Sequence, residues 1–225
     1  AGDVTLLKVA AMVEKCFKGL SQSAPIFPSY KKAAPTHSKK VRVSIPNKAS
    51  IDYMLGIATG ITEKHKDYAP LLLGVQVLGN RGFASRLMTT VREEEGLTYG
   101  VYGYLAGFEN TADGFICIWA TFAPELFQKG RASIMRQVKL IVERGVTEEE
   151  VQKHRELFEA RSRVQLSNSG AFAVAAHSVI VEGQKLSYLD EFPKKILKLK
   201  AGEVNRALKK YLLLDQLSEA AAGPV

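Results

Sequence analysis

The sequence predicts an α+β domain in which a mainly antiparallel sheet carries helices on one face. Three observations point there. Strand-like segments come in two pairs, 41–45 with 51–60 and 98–106 with 114–122, each pair divided by a short turn-rich stretch. Helical periodicity is grouped: two helices lie between the pairs, and a run of them follows residue 124. Runs of strands and runs of helices favour helices segregated to one side of a sheet, whereas strict alternation would favour a parallel sheet.

Taken in order, Leu6, Ala10, Val13, Phe17 and Leu20 recur at helical spacing after a capping Asp3. Residues 21–40 hold three prolines, small polar residues and lysines, and are expected to be a linker. VRVSI and IDYMLGIATG then alternate as strands, expected to form a hairpin around 46–50. A helix over 67–78 stops at Gly79 and Asn80, and a second over 84–95 is closed by Gly96. After the second strand pair, Pro124 suits the first turn of a helix reaching about residue 144. Thr147 with Glu150 three residues later is a capping box for the next. The stretch 171–182 is apolar nearly all round and is expected to be buried. Two short helices, near 189–198 and 202–212, lead to a loose tail over 216–225. The domain proper is thus expected over 41–215.

Composition narrows the function classes. A chain of 225 residues with 46% hydrophobic and 24% charged residues can bury an ordinary globular core. No apolar run approaches the ~20 residues that span a bilayer, so no membrane role is expected. Cys16 and Cys117 are too few for a disulfide framework and lack metal-type spacing. A net charge of +8 raises the question of nucleic acid. The lysines fall in the linker and on late helices without interleaved aromatics, so no nucleic-acid partner is expected.

The most informative stretch is SRLMTTVREEEGLTYGVYGYL, where Arg92 and Tyr99 flank a helix-to-strand junction. A guanidinium and a phenol brought to one point can grip a carbonyl oxygen or stabilise an oxyanion. On spacing alone another reading stays open, with Arg92 paired to an acid such as Glu95 and Tyr99 a half-buried strand aromatic. No reactive partner accompanies the pair. The histidines at 37, 65, 154 and 177 all lack a second histidine four residues on, so no helical zinc site is expected. His154 is expected on the surface of a charged helix, and His177 within a core. There is no nucleophile elbow, and Gly79-Asn80-Arg81-Gly82 lacks a phosphate-loop ending.

Gly79-x-x-Gly82-Phe83-x-Ser85-Arg86-Leu87, Val91-Arg92-Glu93 and Gly96-Leu97-x-Tyr99 together resemble the second-domain signature of the pitrilysin family. These are zinc metallopeptidases related to the mitochondrial processing peptidase, and the family also includes core proteins of respiratory complex III. The resemblance runs over most of the chain, with residues 1–20 similar to the last element of a preceding domain. It implies a division of labour. A zinc-bearing domain with the motif H-x-x-E-H, in cis or in a partner subunit, would activate water. This chain would bind the peptide substrate and contribute Arg92 and Tyr99 to the substrate carbonyl. Gly82, Phe83 and Ser85 become substrate-binding candidates on the same grounds, although Asn80 and Arg81 stand where the family often has further glycines. Zinc is expected in the partner domain and none in this chain, which should be inactive alone and could act in a homo- or heterodimer. The alternatives are a non-proteolytic scaffold of the same fold and a basic anion-binding module.

Overall fold

The computed structural model describes residues 2–20, 37–79, 84–108 and 113–224. Five strands form one sheet: β1 (Lys40–Ser44), β2 (Ile51–Ala58), β3 (Gly100–Ala106), β4 (Phe115–Phe122) and β5 (Ser218–Gly223), in the order β1-β5-β2-β4-β3. Three neighbour pairs are antiparallel, and only β1 with β5 is parallel. The fold is therefore the expected α+β class with a mainly antiparallel sheet.

Two expectations for the sheet need correction. β1 and β2 do not form a hairpin, because β5 lies between them, with Val41 opposite Ala220 on one side and Tyr53 opposite Ala221 on the other. The supposed tail is therefore an interior strand. Its sequence, SEAAAG, has no β-branched or aromatic residue to announce a strand. Small residues are what its position demands: a Cβ on Gly223 would lie 2.6 Å from the Ser50 carbonyl oxygen.

β2 shows the two-residue period that builds the core. Ile51, Tyr53, Leu55 and Ile57 are buried, while Asp52, Met54, Gly56 and Ala58 point the other way. Onto the buried face pack α2 (Tyr68–Gly79), α3 (Phe127–Arg144) and α7 (Ala201–Tyr211), with Leu71, Leu78, Ile134, Ile141 and Leu208 fully enclosed. α2 comes close enough to the sheet that a Cβ on Gly79 would lie 2.3 Å from the Gly103 nitrogen. Glycine at 79 is what lets the end of this helix rest directly on β3.

α1 (Leu6–Phe17) forms as expected but is capped by Thr5, whose side chain accepts from the Lys8 amide at 3.3 Å. Its apolar stripe is exposed, with Leu6 at 84%. The expected linker lies, up to residue 36, outside the described residues. α4 (Glu148–Gln165) carries the complete Thr147–Glu150 capping box. α5 (Ser169–Val181), joined to it at 109°, corrects the expectation of a buried helix. Only Ala175 and Val179 are buried, and Val174, Val181 and His177 are exposed. A helix apolar all round carries no directional signal, so composition alone did not show which side meets the core. α6 (Tyr188–Leu197) packs back on α4 through Phe192 and Phe158, whose rings are 6.0 Å apart edge to face.

His154 reverses its expectation too. It is 1% exposed, because Val151 and His154 share the inward face of an otherwise charged α4. The spacing of Val151, His154 and Phe158 is the signal that could have placed it inside. No single helix among the described residues is long and apolar enough to cross a membrane.

Candidate functional site

The junction between α2 and β3 is built in three steps. First, Gly79 rests on Gly103. The next four residues, Gly82 and Phe83 among them, lie outside the described residues. The chain then runs through Ala84 and Ser85 to Arg86, which is clasped by α4. Arg86 Nε donates to Glu150 Oε1 at 2.6 Å, and Nη2 donates to Glu150 Oε2 at 2.7 Å and to the Gly145 carbonyl at 2.8 Å. A two-point guanidinium–carboxylate contact of this kind fixes orientation as well as distance. The clasp and capping hydrogen bonds hold the Glu150 carboxyl below its usual pKa, outweighing its partial burial, which acts upward.

Second, the expected α-helix widens into a π-helix over Met88–Glu94. Leu87, Met88 and Val91 are buried and seat it on the core. The widening extends to its end, where the Glu95 amide donates to the Thr90 carbonyl and the Leu97 amide to the Val91 carbonyl, both at 3.0 Å. Such local widening recurs at functional sites in helices.

Third, Gly96 turns the chain at φ +61°, a left-handed conformation that favours glycine. Thr98 locks the corner. Its hydroxyl oxygen accepts from the Gly100 amide at 3.1 Å and lies within hydrogen-bond distance of the Gly100 and Thr121 carbonyls. Tyr99 is left projecting, 85% exposed.

This construction brings the two singled-out residues together. The Arg92 guanidinium carbon stands 5.0 Å over the centre of the Tyr99 ring. A cation over the ring face is attracted by the ring quadrupole, and the guanidinium and phenol hydroxyl are both donors. Glu95 pairs with Arg136 of α3. Tyr99 is not the half-buried strand aromatic of the other reading. Ser85 is 1% exposed, so it is a packed part of the segment and does not present its hydroxyl at the surface.

Among the described residues, no group of three His, Cys, Asp or Glu side chains is placed to hold a metal ion. His154 Nε2 donates to the Ala84 carbonyl at 3.2 Å, and His65 Nδ1 accepts from the Asp67 amide at 3.1 Å. Without three converging ligands, the described residues do not fit a zinc ion. Sequence reasoning missed both contacts made by α4, Glu150 to Arg86 and His154 to Ala84, because pairs 64 and 70 residues apart leave no local pattern.

The family model for the peptidase M16 inactive domain matches residues 1–158. The chain belongs to this family. The M16 inactive domain of Pseudomonas fluorescens superposes with a TM-score of 0.82 at 25% identity, covering 99% of this chain and 52% of that one. A protease from Helicobacter pylori gives 0.81 at 20% identity, covering 98% and 53%. A chain of complex III from Candida albicans gives 0.74 at 16% identity, again covering 98% and 53%; at these lower identities the likeness is one of fold. This M16 domain therefore spans about half the length of those solved chains. No curated protein matches it.

Proposed function

We propose that this M16 domain is the substrate-binding half of a zinc metallopeptidase, and that it works with a zinc-bearing half on the same polypeptide or on a partner subunit. The observation that carries the reading is the Arg92–Tyr99 contact, two donors at one corner with Tyr99 open to solvent. A peptide carbonyl laid against this corner can accept from both. As its carbon becomes tetrahedral, the oxygen gains negative charge and both hydrogen bonds strengthen, which favours the transition state over the bound substrate. Each such donor is worth about 2.7–4 kcal/mol in sites that exclude water. Tyr99 is too exposed to act at that strength alone, so the reading requires a second surface to close over it. Arg92 and Tyr99 bind and orient the substrate; the attacking water belongs to the other half.

Reconstitution tests this. The chain is joined to a half bearing H-x-x-E-H, and hydrolysis of a fluorogenic peptide is compared with that of each half alone. Turnover by the pair that greatly exceeds either half is the expected result. Equal turnover by the zinc-bearing half alone would remove the substrate-binding role, and a pair that assembles without hydrolysis would leave the scaffold reading.

A further inference from the structure

Segment 84–87 leads directly into the π-helix that carries Arg92, and two of its side-chain anchors come from one face of α4. Glu150 and His154 stand four residues apart there, one helical turn. Glu150 takes the Arg86 guanidinium at two points, and His154 Nε2 takes the Ala84 carbonyl. The two contacts flank the buried Ser85, after which Leu87 and Met88 sink into the core and the π-helix begins.

The chemistry of His154 marks it as more than filler. It is 1% exposed, and its Nδ1 has no hydrogen-bond partner among the described residues. Burying an imidazole with one nitrogen unsatisfied costs stability that a leucine in the same space would not cost. What the leucine could not supply is the N–H that grips Ala84. Glu150 is similarly doubled in use: it closes the capping box of α4 and holds Arg86. A glutamine would close that box as well, so the carboxylate charge is needed only for the clasp.

We propose that Glu150 and His154 are positioning residues, which clamp Ala84 and Arg86 and thereby fix where the π-helix presents Arg92. The inference rests on the reading of Arg92 as a carbonyl donor, and it adds the device that sets the donor's place. Neither residue touches substrate. Their loss lets the π-helix shift relative to the sheet, so a carbonyl can still bind but is met less often in the productive geometry.

Two measurements test this, on His154→Leu and Glu150→Gln. The first is amide hydrogen exchange in the full chain. Exchange over residues 88–95 is expected to speed at least tenfold, with β2 and β4 unchanged. The second is peptide hydrolysis by the chain joined to its zinc-bearing half, where kcat is expected to fall at least fivefold with KM within twofold. His154→Gln, whose amide can donate to the Ala84 carbonyl, is expected to recover most of both.

Unchanged exchange over 88–95 in both variants would overturn the clamp. So would acceleration spread equally through β2 and β4, which would make these residues general supports of the fold. Local acceleration with unchanged kcat, while Arg92→Ala lowers it, would overturn the positioning role and leave the donor reading standing. An unaffected kcat in Arg92→Ala would bring down both.

Discussion

The hydroxyl of Tyr53 donates to Glu219 Oε2 at 2.9 Å, tying β2 to β5, the strand that the chain adds last. Arg131 of α3 closes the triad, with Nε and Nη2 donating to the same carboxylate at 2.5 and 2.7 Å. The Glu219 side chain is only 11% exposed. Glu219→Ala would leave a buried hydroxyl and a guanidinium without their shared acceptor. A loss of about 2–3 kcal/mol is expected in urea unfolding. Deleting residues 216–225 should be worse and abolish cooperative unfolding, since it removes the strand between β1 and β2.

Acid should weaken the fold in two stages. Burial holds the His154 imidazole below its usual pKa. Its neutral form is thus favoured in the folded chain, and its contribution is fully present above about 6.5 and lost as pH falls below that. Glu219 is held low by Arg131, and Glu150 by Arg86 and its capping hydrogen bonds against the opposing effect of burial. Their contribution is present above about 4.5 and lost as pH falls through their lower folded values. Urea midpoints should therefore be level between pH 7 and 8, decline below about 6.5 and fall again below about 4.5. In His154→Gln the first decline should be smaller, and an undiminished one would show that another group causes it.

Gly79→Ala tests the seat of the site. The added methyl would meet the Gly103 backbone at 2.3–2.5 Å, and neither is a flexible side-chain end. The end of α2 must then lift from β3. A loss of about 1–3 kcal/mol is expected, read as a lower urea midpoint. A midpoint unchanged from the parent would mean that the close approach does not matter.

After chelator washing, the purified chain is expected to carry well under one equivalent of zinc in metal analysis. The reason is the donor chemistry: among the described residues no three ligating side chains converge. One tightly held equivalent would show a site that this reading missed.

Much of this was legible in the sequence because it is local. The alternation of β2, the Thr147–Glu150 box and the left-handed Gly96 each occupy a few consecutive residues. So does the seven-residue interval that brings Arg92 onto Tyr99. What escaped is non-local or compositionally bland. SEAAAG became an interior strand through pairing with residues more than 160 positions away. The uniformly apolar α5 gave no direction for burial, and the charged neighbours of His154 masked its inward face. The π-helix was read as an α-helix because the two share nearly the same apolar spacing over so short a run.

The proposed action of Arg92 and Tyr99 on a developing oxyanion is measured most directly by kcat/KM in the chain joined to the proposed zinc-bearing half. Arg92→Ala and Tyr99→Phe are each expected to lower kcat/KM at least tenfold, mostly through kcat, with zinc content and urea midpoint nearly unchanged. Arg92→Lys should recover only part, because an ammonium cannot reproduce the planar fork of the guanidinium. The double variant should lose less than the two single losses combined, since both donors serve one oxygen. Near-normal kcat/KM in both single variants would contradict the account, leaving the Arg92–Tyr99 pair as a surface contact without a part in catalysis.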